Sequence, residues 1–173
     1  MYNIHFITFK TNFANKTILF FGDSLTAGYG LKDVSLESLP ARIQEKINAD
    51  KLPFKVINGE LSGETSAGGL ERIDLFVDQH FDLFILELGA NDILSDIPAE
   101  ITHNNQQSLI DKVKSNYPNI TMLFLGMEIP AWLAEPRTIP FNFVFRKIAN
   151  NNIIGIDPFL IRGGGWRLTF KFK

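Results

Sequence analysis

Apolar residues come in short, nearly continuous runs at 17–21, 55–58, 82–88, 120–126 and 153–157. Runs of this length without polar alternation predict strands covered on both faces. Between the runs, apolar positions fall at helical spacing. Residues 38–50 carry Pro40 near their start and Ile43 and Ile47 one turn apart, so they predict an amphipathic helix. Residues 67–79, 99–116 and 140–150 predict three more. Five strands alternating with helices predict a parallel sheet in a three-layer α/β/α sandwich. Ligands of such sheets bind beyond the carboxyl ends of the strands. Polar loops follow the first three strands: the turn holding Ser24, residues 59–66 and residues 89–92. The strand assignment alone therefore gathers them on one edge.

Each loop has chemistry to offer and a plainer role beside it. In Gly22-Asp23-Ser24-Leu25, a serine at the end of a buried strand is placed to act as a nucleophile. Asp23 or Ser24 could equally cap the helix that follows. The glycines of Asn58-Gly59-Glu60-Leu61-Ser62-Gly63-Glu64-Thr65-Ser66 permit close backbone approach, and Ser66 could cap a helix. In Leu86-Glu87-Leu88-Gly89-Ala90-Asn91-Asp92, Asn91 and Asp92 are also natural turn and cap residues. The three together, in this order and each after its own strand, supply a nucleophile and groups able to stabilise an oxyanion.

These three segments resemble the signature of the GDSL, or SGNH, hydrolase family over residues 16–161. Ser62-Gly63-Glu64-Thr65-Ser66 and Gly126-Met127-Glu128-Ile129-Pro130 are similar to its arylesterase, lysophospholipase and thioesterase I branch. The resemblance implies a flavodoxin-like strand order 2-1-3-4-5. It makes Ser24 the nucleophile and gives the oxyanion to the Ser24 amide, the Gly63 amide and the Asn91 side chain. Gly22, Asp23, Gly89 and Asp92 support the motifs. Residues 126–130 would line an acyl pocket or form an ordinary proline-terminated turn. The implied substrates are carboxylic esters: aryl esters, lysophospholipids or acyl thioesters. No metal or organic cofactor is required.

The family's base lies in an Asp-x-x-His pattern followed by a last helix, and that pattern occurs nowhere in the 173 residues. His80 precedes the third strand, on the order of 20 Å from Ser24 at ~3.3 Å per residue. His5 falls in an N-terminal extension, residues 1–15, where a surface role is expected. His103 opens the third predicted helix on the correct edge and is the remaining candidate, against a plain surface role. Asp157, ending the fifth strand, reads as a turn or cap residue. The last helix is expected to be truncated, and residues 162–173 read as an aberrant tail. Codons permitted for Arg162–Leu168 can, shifted by one base, encode Glu-Gly-Val-Ala-Gly-Asp, a run that arylesterase-like relatives carry after Pro-Phe-Leu. A frameshift is the expected origin, with a genuinely divergent C-terminus as the alternative.

Composition narrows the remaining choices. The length suits one domain spanning 16–161. A net charge of −2 gives no electrostatic basis for nucleic-acid binding, and the absence of cysteine removes thiolate chemistry. No apolar run approaches the ~20 residues of a membrane span. The N-terminus lacks a basic leader and a cleavage site, so a cytoplasmic location is the default expectation, with export as the alternative. The expected partner is a small-molecule ester; oligomeric state stays open. Two other readings stand beside the hydrolase: a non-catalytic, degenerate domain that keeps the acyl pocket, and a flavodoxin-like nucleotide binder. The second lacks the Gly-x-x-x-x-Gly-Lys phosphate loop.

Overall fold

The computed structural model describes residues 15–128, 134–152 and 154–160. The apolar runs pair in parallel as β1 (Lys16–Gly22), β2 (Phe54–Asn58), β3 (Leu83–Glu87) and β4 (Thr121–Glu128), in the order β2-β1-β3-β4. Leu19 lies opposite Ile57, Phe20 opposite Ile85 and Phe84 opposite Met122. The backbone of β5 (Gly155–Leu160) runs parallel along β4, with Asp157 opposite Leu125. Its start lies two residues beyond the predicted one, and Ile153 is outside the described residues.

The connections form α1 (Ser24–Ala27), α2 (Val34–Glu37), α3 (Leu39–Ala49), α4 (Ser66–Arg72), α5 (Asp74–Val77), α6 (Ala90–Leu94), α7 (Ala99–Asn116) and α8 (Phe141–Asn152). The helix expected over 67–79 is in fact two. The chain tightens at Ile73, where the Phe76 N–H reaches the Ile73 carbonyl, three residues back, at 2.9 Å. Ile73 itself is fully buried. Its packing sets the break, which sequence periodicity does not register.

Strand alternation sorts the core into two layers. Leu19, Phe21, Phe84, Leu86, Met122 and Phe124 cluster with Leu109, Ile110 and Val113 of α7 and Val144, Phe145 and Ile148 of α8. Ile18, Phe20, Leu83, Ile85, Leu123 and Leu125 cluster with Ile43 and Ile47 of α3 on the other face. Both faces are thus covered, as unalternating strands require. Each fully buried aliphatic or aromatic side chain contributes about 1.5–3 kcal/mol. This core makes the carboxyl edge a rigid platform. No helix among the described residues is long and apolar enough to cross a membrane. Residues 1–14 with His5, the tail 162–173, and Ile129 and Pro130 lie outside the described residues.

Candidate active site

The nucleophile turn begins where β1 must pass close to β3. A Cβ on Gly22 would stand 2.6 Å from the Glu87 carbonyl oxygen and 2.8 Å from Thr26 Oγ1. No larger residue fits without moving backbone. Gly22→Ala is therefore expected to cost about 1–3 kcal/mol through overpacking, read as a lower urea midpoint at unchanged slope. An unchanged midpoint would refute the close approach. Next, Asp23 takes an extended conformation, and its carboxylate accepts the Leu25 N–H at 2.9 Å. This N-cap starts α1 at Ser24, whose own N–H, at the first helical position, has no intrahelical acceptor. Gly28, at φ +97°, ends the turn by donating its N–H to the Ser24 carbonyl at 3.1 Å.

The second segment continues the strand pairing past β2. Gly59 N–H donates to Phe20 O at 2.7 Å and Leu61 N–H to Gly22 O at 2.9 Å. The chain then turns, with Glu64 N–H reaching Leu61 O at 3.2 Å. Gly63 sits in that turn at φ +84°, and a Cβ there would meet nothing within 4 Å. Glycine is demanded by conformation at this position, not by space. Gly63 is exposed, and its N–H has no acceptor among the described residues. Thr65 then caps α4, accepting the Gly68 N–H at 3.4 Å.

The third segment meets the second directly. Gly89 adopts φ +122°, and a Cβ would press the Phe145 ring at 3.2 Å. Asn91 Nδ2 donates to the Glu64 carbonyl at 3.0 Å. That uses one of its two amide hydrogens, and the amide also faces the Asp23 carboxyl. Asp92 is fully buried. It accepts the Ser66 N–H at 2.8 Å, the Ser66 hydroxyl, and the Thr102 hydroxyl at 2.8 Å. Asn105 donates to Ser66 Oγ at 3.0 Å, and Gln106 to the Leu88 carbonyl at 2.7 Å. The segments after β2 and β3 and the start of α7 are thus tied into one unit.

Several of these residues escape a reading of the sequence. Arg72 pairs with Glu64: its Nε lies 2.6 Å from Oε1, and its Nη2 contacts Oε2. Thr102 and Gln106 left a signal, as two polar residues on the buried stripe of α7. Glu87 left another, as an acid inside an apolar strand. It is buried, with Oε2 taking the Thr26 hydroxyl at 3.1 Å and the Asp23 N–H at 3.4 Å. Burial pushes the Glu87 carboxyl well up, and the Asp23 charge adds to the shift. Asp23 is also raised by burial, against the Leu25 N–H, Glu87 and Asn91, which pull it down. Glu60 is pushed up to about 8 by burial, against the Thr26 hydroxyl that pulls it down, with a smaller push from the Asp23 charge. Three carboxyls thus surround Thr26 behind the nucleophile turn.

Neither histidine among the described residues, His80 or His103, bonds Ser24. His80 precedes β3 at the amino edge, with Nε2 3.7 Å from Asp82 Oδ1. His103 lies on α7. Its Nδ1 is 3.2 Å from Asn104 Oδ1, and its Nε2 is enclosed with no hydrogen-bond partner among the described residues. Neither His103 nitrogen bonds Ser24. No group of three or more metal-ligating side chains occurs among the described residues.

Residues 20–169 match the GDSL-like lipase/acylhydrolase family. An arylesterase of Vibrio mimicus is 30% identical over 149 residues, covering 86% of this chain and 72% of that protein. Esterase TesA of Pseudomonas aeruginosa is 30% identical over 153 residues, covering 88% and 74%. The crystal structure of AlinE4, an SGNH-hydrolase family esterase, superposes with a TM-score of 0.74 at 31% identity, covering 84% of this chain and 76% of that one. With its sheet order, its Gly-Asp-Ser-Leu turn and the loops gathered around it, the chain belongs to the GDSL, or SGNH, hydrolase family, in the branch of TesA and the arylesterases.

Proposed function

We propose that the chain hydrolyses carboxylic esters, namely aryl esters, lysophospholipids or acyl thioesters, through an acyl-enzyme at Ser24. The observation that carries this reading is the bond from Asn91 to the Glu64 carbonyl, beside Gly63 and next to the capped Ser24 turn. It supports a site in which three donors converge. Ser24 Oγ bonds the acyl carbon while its proton passes to a base. The carbonyl oxygen becomes an oxyanion held by the Ser24 and Gly63 amides and the Asn91 side chain. The alcohol or thiol leaves with a proton, and water then releases the acid. Each such donor contributes about 3–4 kcal/mol to the transition state. In the fold this reading proposes, β5 completes a five-stranded sheet; the family's Asp-x-x-His base, which precedes its last helix, is absent from the sequence, so turnover by this chain is expected to be impaired.

The missing Asp-x-x-His pattern favours a second reading. In it the domain binds an ester or fatty acid without turning it over. Hydrolysis of p-nitrophenyl acetate and butyrate by the 173-residue chain, beside Ser24→Ala, separates the two. The hydrolase reading expects Ser24→Ala to fall to the uncatalysed background. Equal rates in two folded proteins, with an acyl ligand still bound, would install the second.

A further inference from the structure

Arg72 touches the strand that leads into the first segment and the loop of the second, and meets the third only through Glu64, without belonging to any sequence motif that suggested it. Its guanidinium stacks 4.1 Å from the centroid of Phe21, two residues before Asp23. Through Nε and Nη2 it grips both carboxylate oxygens of Glu64, a residue only 6% exposed. The Glu64 N–H closes the turn that contains Gly63, and the Glu64 carbonyl receives the Asn91 amide at 3.0 Å. Arg72 is held in place by α4, whose start is capped by Thr65 and tied to Asp92 through Ser66. One planar fork therefore spans the strand before the nucleophile, the loop that holds Gly63 and, through one carbonyl, the amide of the third segment.

We infer that Arg72 is a positioning residue that sets both oxyanion donors, the Gly63 N–H and the Asn91 side chain. This deepens the reading of Ser24, Gly63 and Asn91 as acyl-transfer machinery and rests on it. A surface cation would need neither two-point geometry nor an aromatic platform. Lysine could supply the charge but neither the fork nor the plane. A loose Glu64 would let its carbonyl drift and release Asn91. Misplacement of about 1 Å costs roughly 100-fold in rate.

The test uses the full chain and an alkyl fluorophosphonate probe. Ser24 Oγ displaces fluoride at phosphorus while the phosphoryl oxygen occupies the oxyanion position. In Arg72→Lys the maximal labelling rate at Ser24 is expected to fall about 10–100-fold, with little change in the half-saturating probe concentration. Glu64→Gln keeps the carbonyl and the side-chain shape and should fall alike. The double variant should be no slower than either single one. In ¹⁵N spectra, the Gly63 amide and the Asn91 side-chain NH₂ should shift and broaden, while the amides of Leu83–Glu87 stay put. Should Arg72→Lys fail to fold, Glu64→Gln carries the same comparison. Unmoved Gly63 and Asn91 signals overturn the proposal, as does a labelling rate that falls only in step with the folded fraction. If Ser24 resists the probe in the unmodified chain while Gly63 and Asn91 still respond to Arg72→Lys, the positioning role stands and the nucleophile reading fails.

Discussion

Asp92→Ala is expected to lower the unfolding free energy by about 3–5 kcal/mol, the largest single loss on the carboxyl edge. The carboxylate is wholly buried and accepts three donors from two other segments. Truncation orphans the Ser66 N–H, the Ser66 hydroxyl and the Thr102 hydroxyl at once, at ~1–3 kcal/mol for each group left unsatisfied. Some relaxation is available, since Asn105 still donates to Ser66 Oγ. A loss of this size is a large share of the roughly 5–15 kcal/mol that holds a domain together. Asp92→Asn keeps the shape and one acceptor oxygen, so it should fall between the two. Urea unfolding followed by circular dichroism measures all three proteins. A loss below about 1 kcal/mol for Asp92→Ala would show that water replaces the carboxylate, and that the hub does not bind the segments together. The same variant should loosen Ser66 and with it α4, so the effect reaches Arg72 through the helix that presents it.

The central strands were legible because they are covered on both faces. Ile18 to Phe21, and Leu83 to Leu86, are apolar without a break and buried without a break. Helix α7 was legible because its buried positions repeat at helical spacing. What escaped depends on partners far away in the chain. The break at Ile73 reflects packing that no local window contains. Helix α2 has no buried residue to mark it, and it rests on the Asp33 cap, which accepts the Ser35 N–H at 3.0 Å. At the site, Gly22, Ser24, Gly63 and Asn91 are conspicuous because turn chemistry and motif coincide there. Arg72, Ser66 and Thr102 look ordinary, because each acts by meeting a residue in another segment. A polar side chain on a buried stripe is the one trace such residues leave, and Thr102 and Gln106 both leave it.

Glu60→Gln is expected to stabilise the protein above pH 8 and to flatten its stability profile. Glu60 stands behind the nucleophile turn with no hydrogen-bond partner for either carboxylate oxygen among the described residues. It shares its surroundings with Thr26 and the Asp23 carboxylate, and Glu87 completes the cluster. Burial raises its pKa from the ordinary 4.5 to about 8. In the unfolded chain the group ionises near its ordinary value, so between the two values the folded state holds the extra proton. Stability linked to Glu60 is therefore complete below about pH 4.5, declines as pH rises, and is lost once pH passes about 8. At about 1.4 kcal/mol per unit, the decline is on the order of a few kcal/mol. Glutamine cannot ionise and keeps a neutral amide of the same shape. At pH 5 the two proteins should be nearly equal; at pH 9 the variant should be clearly the more stable. A shallower slope should persist in the variant, because Asp23 and Glu87 are raised as well and remain in place. Urea unfolding at pH 5, 7 and 9 reads the difference. Parallel profiles for the two proteins would mean that Glu60 meets water when it ionises, and that the carboxyls around Thr26 do not share a buried field.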